Sequence, residues 1–219
     1  WKRNVEQAIE YGPECVTIYQ MEIPYNTTIY KEMKEAGRLS APVADWQTKR
    51  EWVTYAFEEF EKAGYTTTSA TTVMKDPDMK FAYRDRLWEG ADLLSAGVAS
   101  FGHFGGVHYQ NQADVGPYMT SLDEGKLPIF RGYETNEDER FIREFILRLK
   151  LGRVTGQYYR DKYGSDPLEV FAPQLAQHEE NGFLTVKDDA VTLSREGLLQ
   201  VDRLLHDFFL PRHRNARYT

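Results

Sequence analysis

Cysteine is almost absent from this chain of 219 residues, since Cys15 is its only cysteine. One thiol cannot form a disulfide within the chain or a metal site built from cysteines alone, and such usage is typical of a reducing compartment. Cys15 falls in a strand-like run, which indicates a buried structural thiol rather than a reactive one. We therefore expect no metal ligand from this chain by itself.

Long apolar runs and a surplus of basic residues are also missing. No stretch approaches the roughly 20 apolar residues that a membrane helix needs, and no basic segment precedes an apolar leader. The chain has 27 basic and 34 acidic residues, a net charge of −7, which argues against nucleic acid or an anionic membrane as a partner. We expect a cytoplasmic protein without a membrane span and without a nucleic-acid partner.

Glycine, in contrast, is concentrated in one stretch, 92–111, which reads DLLSAGVASFGHFGGVHYQN. Glycines can take positive φ and let the backbone approach a ligand closely. The stretch has neither a Lys-Ser/Thr pair after the glycines nor a G-x-G-x-x-G motif, which argues against a Walker loop and a dinucleotide fingerprint. It predicts either a strand that opens into a ligand-facing loop or a glycine-rich turn without a ligand.

Helical and strand-like segments alternate across residues 1–115. We predict helices over 2–10, 30–36 and 46–63, and strands over 16–23 and 65–73. This βα pattern predicts a parallel sheet, with too few strands for a closed barrel. Gln20 and Glu22 end the first strand, where such sheets bind ligands, although Glu22 alternatively caps the next turn. The hydroxyl-rich second strand suits the wall of a polar ligand site.

The pattern changes after residue 116 and becomes mainly helical. Helix starts are predicted at a capping box on Thr135, at Thr155, at Asp166 and at Ser194. A hairpin is predicted around residues 187–189, and the whole order is typical of a winged-helix module. Residues 117–219 carry 15 basic and 17 acidic side chains, so we favour a packing module over a reader of DNA.

Several stretches together resemble the oxygen-independent coproporphyrinogen III oxidase family of radical S-adenosylmethionine enzymes, with its near relatives the haem chaperones and haem-degrading radical enzymes. They are 13–20 with Ile23-Pro24, 63–65, the glycine-rich stretch, 125–129 with Arg131-Gly132, and 181–197. The resemblance implies an α/β fold in which residues 1–115 are the last part of a partial (β/α) barrel. Residues 116–219 then form a mainly helical, winged-helix-like C-terminal domain.

The resemblance also implies an activity and cofactors for a longer protein. The family converts two propionate side chains of coproporphyrinogen III to vinyl groups by oxidative decarboxylation, with a [4Fe-4S] cluster, S-adenosylmethionine and an electron donor protein. The Cys-x3-Cys-x2-Cys motif that binds the cluster is not in this chain. Since Trp1 falls inside a helix-like run, we expect a piece of a longer enzyme, inactive by itself. The alternative is a haem-binding chaperone or carrier, or a haem-modifying radical relative.

Candidate site residues follow from the resemblance and from side-chain chemistry. The cofactor-binding positions implied by the resemblance are Gln20, Glu22, Thr72, Met74, Gly97, Ala99 and Leu149. The candidate contacts to a tetrapyrrole or haem are Arg84, Arg86, His103, His108 and Asn111. Imidazole binds iron or, when protonated, carboxylates, and guanidinium binds carboxylates in a bidentate manner. The simpler alternatives are satisfied turn histidines and a surface ion-pair cluster around Asp85.

Overall fold

The computed structural model describes residues 1–20, 23, 27–37 and 44–214. The α-helices of this part are α1 (Lys2–Tyr11), α2 (Thr28–Ala36), α3 (Trp46–Lys62), α4 (Ala82–Trp88), α5 (Val115–Asp123), α6 (Glu137–Leu149), α7 (Gly156–Tyr163), α8 (Pro167–Val170), α9 (Ala172–Glu180), α10 (Arg195–Leu199) and α11 (Val201–Leu204). The strands are β1 (Cys15–Thr17), β2 (Thr66–Ser69), β3 (Thr72–Met74), β4 (Phe101–Phe104), β5 (Val107–Asn111), β6 (Ile129–Glu134), β7 (Arg153–Thr155), β8 (Leu184–Lys187) and β9 (Ala190–Leu193).

The first sheet has β3 in the middle, with β1 on one side and β2 on the other, and both pairings are antiparallel. The hydroxyl-rich run predicted as one strand turns at Ala70-Thr71, so that β2 and β3 form a hairpin. A hairpin joins antiparallel strands, whereas parallel strands need a long crossover. The predicted parallel sheet is therefore wrong for the strands that the structure describes.

Helices α1 and α3 cover this sheet with apolar faces. Val53, Phe57 and Phe60 recur at helical spacing on α3 and pack with Val73 of β3 and Val5 of α1. Asp45 accepts a hydrogen bond of 2.7 Å from the Thr48 N–H and so fixes the start of α3. Phe57 and Phe60 of this helix are core residues, whereas Trp46 and Trp52 are exposed.

The glycine-rich stretch is a turn followed by a hairpin. Gly97 and Ala99 have φ of 103° and 61°, values outside a strand, so the strand predicted near them is wrong. β4 and β5 then pair around Gly105-Gly106, whose φ angles are both positive, as a tight two-residue hairpin turn requires. The loop expected over 103–111 is thus the hairpin, and β6 adds a third antiparallel strand next to β5.

The C-terminal part is mainly helical around a small sheet of order β7-β9-β8. The predicted hairpin is confirmed as β8 and β9, with Asp188 and Asp189 at positive φ in its tip. The capping box of α6 is formed by Asn136 and Glu139, one residue later than predicted. The predicted last helix is interrupted at Gln200, where φ is −113°.

An aromatic core holds these C-terminal elements together. The rings of Phe145, Phe171 and Phe208 lie 4.8–5.2 Å apart, and Leu149 is fully buried beside them. The domain division predicted after residue 115 stays a prediction. β5 and β6, which lie on opposite sides of that position, are paired over Val107–Asn111.

Candidate functional site

A histidine and aromatic face forms on the sheet of β4, β5 and β6. His103 pairs with His108, and His108 pairs with Tyr133, so all three side chains lie on one side of the sheet. The rings of Phe101 and His108 are stacked, with centroids 5.8 Å apart and an angle of 13° between their planes. Phe101, His108 and Tyr133 are exposed and His103 is buried, so the histidine face (Phe101, His103, His108, Tyr133) offers three exposed aromatic rings to a ligand.

Both histidines of this face are neutral at pH 7. His103 is 6% exposed, and burial, together with Arg143 and His108, lowers its pKa to about 4. Burial, Arg143 and Arg131 also lower the pKa of His108. A neutral imidazole can bind iron or form a hydrogen bond, but it supplies no positive charge for a carboxylate. Any carboxylate bound here at neutral pH therefore needs arginine or lysine.

The turn before the hairpin is held by three polar side chains. The Ser95 N–H donates to the Tyr109 hydroxyl at 2.9 Å, and the Gly97 N–H donates to the Tyr118 hydroxyl at 3.0 Å. Asn111, 3% exposed, donates from Nδ2 to the Gly97 carbonyl at 3.1 Å. The structure thus brings together Asn111 and Gly97, two of the predicted site residues, and directs the Asn111 amide at the backbone of the turn.

The two candidate arginines of α4 lie in different environments. Arg84 is buried, donates to Ser69 Oγ at 3.2 Å and forms an ion pair with Asp85 at 2.6 Å. Arg86 is 79% exposed at its side chain and lies 3.6 Å from Glu89. Positions i and i+2 of a helix do not face each other, so α4 does not direct both guanidinium groups at one carboxylate.

The remaining predicted cofactor positions are spread over the molecule. Thr72 and Met74 lie on β3 with fully buried side chains, and the Thr72 hydroxyl has no hydrogen-bond partner in the described part of the chain. Gln20 donates to the Leu199 carbonyl at 3.5 Å, and Leu149 lies in the C-terminal core. Glu22 lies outside the described residues. A shared role for these positions stays a prediction.

One group of charged residues was missed by the sequence analysis. Arg140 and Arg143 of α6 line a cleft of about 220 Å³ that also contains His103 and Gly106 of the hairpin. Their i, i+3 spacing puts both arginines on one face of the helix, which the sequence does show. What the sequence does not show is that this face meets the hairpin.

The chain offers poor ligands for a cluster or a metal ion. Within the ranges that the structure describes, no group of three or more histidine, cysteine and acidic residues is placed to hold a metal ion. Burial raises the pKa of the Cys15 thiol, although Arg84 opposes this shift. A cluster needs thiolates, so Cys15 does not fit as its ligand. None of the described helices is long and apolar enough to cross a membrane.

The sequence was compared with known proteins, and no family model matches it. An oxygen-independent coproporphyrinogen III oxidase of Pseudomonas aeruginosa is 24% identical over 99% of this chain and 50% of its own length. The heme chaperone HemW of Bacillus subtilis is 22% identical over 90% of this chain, and an anaerobilin synthase of Escherichia coli O157:H7 is 24% identical over 94%. The chain is a relative of the C-terminal portion of these HemN-like proteins. The predicted resemblance is confirmed.

A solved structure shows the same fold. It is described as coproporphyrinogen III oxidase (HemN) from Escherichia coli, a radical SAM enzyme, and it superposes with a TM-score of 0.75 at 18% identity over 94% of this chain. The predicted fold class, the last part of a radical SAM barrel followed by a mainly helical domain, is confirmed by this match. The chain spans about half the length of the relatives and of the solved structure.

Proposed function

We propose that this chain is the tetrapyrrole-binding half of an oxygen-independent coproporphyrinogen III oxidase-like radical S-adenosylmethionine enzyme. The observation that carries the proposal is the histidine face, with its three exposed aromatic rings, on a chain related to proteins named for tetrapyrrole chemistry. Stacked Phe101 and His108 rings pack against the face of a macrocycle, because flat π-systems bury area there at little cost in side-chain entropy.

The reaction proposed for the whole protein is the oxidative decarboxylation of porphyrinogen propionates to vinyl groups. S-adenosylmethionine and a reduced [4Fe-4S] cluster, when bound, supply the radical that starts such chemistry. Cys15 alone does not provide the cluster ligands, so the residues of this chain bind and orient the tetrapyrrole instead. We propose that the chain alone does not cleave S-adenosylmethionine. An electron donor protein and the lack of a nucleic-acid partner stay predictions.

The histidine face also supports a second function, a haem-binding chaperone or carrier. His108 is exposed and neutral at pH 7, which is the state of imidazole that binds iron. One of the relatives is named a heme chaperone. The two functions differ in what His108 does: it binds iron in the carrier and only stacks on the macrocycle in the enzyme.

Titration of the chain with coproporphyrin III, followed by fluorescence, tests the shared part of both functions. We expect Phe101→Ala and His108→Ala each to weaken binding by about 3- to 10-fold, the loss of one aromatic contact. Phe104→Ala is the matched control, because Phe104 is 53% exposed on the opposite side of the same strand. Equal binding by all three variants would contradict the proposal.

Titration with haem then separates the two functions. A Soret shift that is lost in His108→Ala but kept in His108→Phe would come from stacking and favours the enzyme. A shift that is lost in both variants comes from iron ligation and favours the carrier. Release of deoxyadenosine from S-adenosylmethionine by this chain, after reconstitution with iron and sulfide, would contradict its proposed inactivity.

A further inference from the structure

A polar cleft lies between the β4–β5 hairpin and helices α6 and α7. His103 and Gly106 line it from the hairpin, Arg140 and Arg143 from α6, and Lys162 from α7. Its volume of about 220 Å³ is several times the roughly 30 Å³ that one water molecule occupies, but far too small for a macrocycle. The size suits one small polar group.

Arg143 of this cleft is half-buried and has no direct ionic partner among the described residues, although the charges of Glu144 and Asp92 favour its ionised form. Its side chain makes no hydrogen bond and no ion pair within 4 Å with any residue that the structure describes, and burial lowers its pKa. A desolvated guanidinium is costly unless an anion faces it. The neighbouring Glu144 does not serve, because it is itself buried and binds Lys162 and, at 2.9 Å, the Tyr158 hydroxyl.

Arg140 adds a second positive charge on the same face of α6. Its guanidinium lies against Gly106, where a Cβ atom would be 2.7 Å from Nη1, so a larger residue at this turn would push the arginine away. Its side chain has no hydrogen-bonding or ionic partner among the residues described, but Arg140 is exposed, so water can solvate it. Asp92 and Glu137 also line the cleft and are exposed, and neither forms an ion pair within 4 Å with the two arginines.

His103 brings an unsatisfied polar atom to the same place. Its side chain is more than nine-tenths buried, and its Nδ1 atom is shielded from solvent without a hydrogen-bond partner in the described residues. A buried polar atom in a native protein is normally satisfied by a protein group, an ordered water or a ligand. An anionic ligand that also forms a hydrogen bond would complement Arg143 and give the imidazole a partner.

We propose that this cleft binds a carboxylate, with Arg143 as the main contact and with Arg140 and His103 completing the site. A guanidinium binds the two oxygens of a carboxylate through two parallel hydrogen bonds. Phosphate is the other small anion that accepts this bidentate geometry. The site is defined by unpaired groups of the chain and does not depend on the proposed function. Its carboxylate belongs either to a side chain of a larger ligand or to a free small acid.

Titration of the whole chain with sodium propionate at pH 7, followed by NMR of the arginine side chains, tests the site. We expect saturable shifts with propionate and none with propionamide, its uncharged counterpart. Arg143→Gln should weaken propionate binding at least 10-fold, the size expected for a charge-assisted hydrogen bond. Arg140→Gln should weaken it about 3-fold, the size expected for an exposed ion pair. Arg153→Gln, on an exposed strand outside the cleft, is the matched control and should bind as the parent does.

Arg143→Lys is a second variant, used in case Arg143→Gln does not fold. It keeps the charge and loses the bidentate geometry, so we expect it to bind propionate more weakly than the parent and more tightly than Arg143→Gln. Equal shifts with propionate and propionamide, or unchanged binding by both Arg143 variants, would overturn the proposal. If inorganic phosphate displaces propionate and binds more tightly, the cleft is a phosphate site, and the proposal of a carboxylate site is overturned.

Coproporphyrin III identifies the source of the carboxylate. If Arg143→Gln weakens both propionate and coproporphyrin binding, a side chain of the tetrapyrrole occupies the cleft. If only propionate binding is lost, the cleft takes a free small acid. The Phe101→Ala and His108→Ala variants test whether the histidine face binds coproporphyrin, and the Arg143 variants test whether the cleft binds a carboxylate. Failure of one proposal is therefore distinguished from failure of the other.

Discussion

Gly197 of α10 lies directly against the carbonyl oxygen of Phe183, and a Cβ atom on Gly197 would be only 1.9 Å from that oxygen. The oxygen cannot easily move, because it accepts a hydrogen bond of 2.9 Å from the Ser194 N–H. Ser194 in turn caps α10 through a 3.1 Å bond from the Gly197 N–H. The start of α10 and the entry to β8 are therefore fixed against each other by close backbone contact.

Gly197→Ala should therefore destabilise the chain by about 1–3 kcal/mol or more, the cost of overpacking a site that cannot relax. The free energy of unfolding in urea measures this. Gly116→Ala is the matched control, because Gly116 lies in α5 with no atom near its missing Cβ and should gain up to about 1 kcal/mol. Similar stability for the two variants would contradict the close contact.

The histidine face makes stability depend on pH. His103 has its pKa lowered to about 4 by burial, Arg143 and His108, so the unfolded chain binds this proton at a higher pH than the folded one. Stability is then complete above about pH 6.5 and falls as the pH drops towards 4. His103→Gln should reduce the loss of unfolding free energy between pH 7 and pH 5. It should not abolish it, since burial also lowers the pKa values of His108 and His178. An unchanged loss would show that His103 is not buried in its neutral form.

Glu139 joins the start of α6 to the end of the chain. Its carboxylate accepts hydrogen bonds from the Tyr133 hydroxyl at 2.6 Å and from Arg212 at 2.9 Å, and it contacts His213 at 2.6 Å. Although burial opposes ionisation, these bonds and the capping bond to the Asn136 N–H lower the pKa of Glu139 to about 2. The ionised form is thus the one that the fold stabilises.

Glu139→Gln should cost roughly 1–3 kcal/mol at pH 7, because it removes the buried, charged acceptor that the Tyr133 hydroxyl, Arg212 and the Asn136 N–H share. The parent should lose this advantage as the pH falls from about 4.5 towards 2, since a lowered pKa stabilises the fold only while the carboxyl is ionised. Urea unfolding of both proteins across this range measures it. Tyr133→Phe, which removes one bond and keeps the charge, should cost less than Glu139→Gln. Parallel pH curves for parent and Glu139→Gln would contradict the assignment.

Asn111 should control the order of the turn at Gly97. Asn111→Ala removes the amide that donates to the Gly97 and Ser95 carbonyls, so the backbone amide protons of residues 95–97 should exchange faster with solvent. Hydrogen exchange followed by NMR measures this, and Tyr118→Phe should speed exchange at Gly97 more than at Ser95. Asn181→Ala, at the exposed end of α9, is the control and should leave this turn unchanged.

Local signals predicted the helices well because caps and apolar spacing are short-range features. The helix at Trp46 and the hairpin tip at Asp188-Asp189 are where the sequence put them. Strand partners were harder, because pairing joins distant residues: nothing near Thr72 indicates that β3 turns back against β2 and then pairs with β1. The sequence allowed a capping box to start at either Thr135 or Asn136, and the structure shows that Asn136 is the N-cap of α6.

The sequence likewise predicted only part of the candidate site. His103 and His108 were predicted from residue type alone, and the structure adds that they share one face with Phe101. Arg140 and Arg143 could not be connected with His103 from the sequence, because they lie 37 and 40 positions further along the chain. Their role in the proposed carboxylate site rests on the absence of direct hydrogen-bonding and ionic partners among the described residues, which only the folded structure shows.

The pairing of β5 with β6 has a consequence for how the chain is made. Val107–Asn111 forms the central strand of its sheet, and its partner on one side is Ile129–Glu134. During synthesis, which adds about 5–20 residues each second, the β4–β5 hairpin emerges before β6, and the outer edge of β5 is unpaired until β6 follows. An unpaired edge invites pairing with other chains. The face proposed to receive the tetrapyrrole gains Tyr133, and β5 becomes a central strand, only after residues 129–134 have left the ribosome.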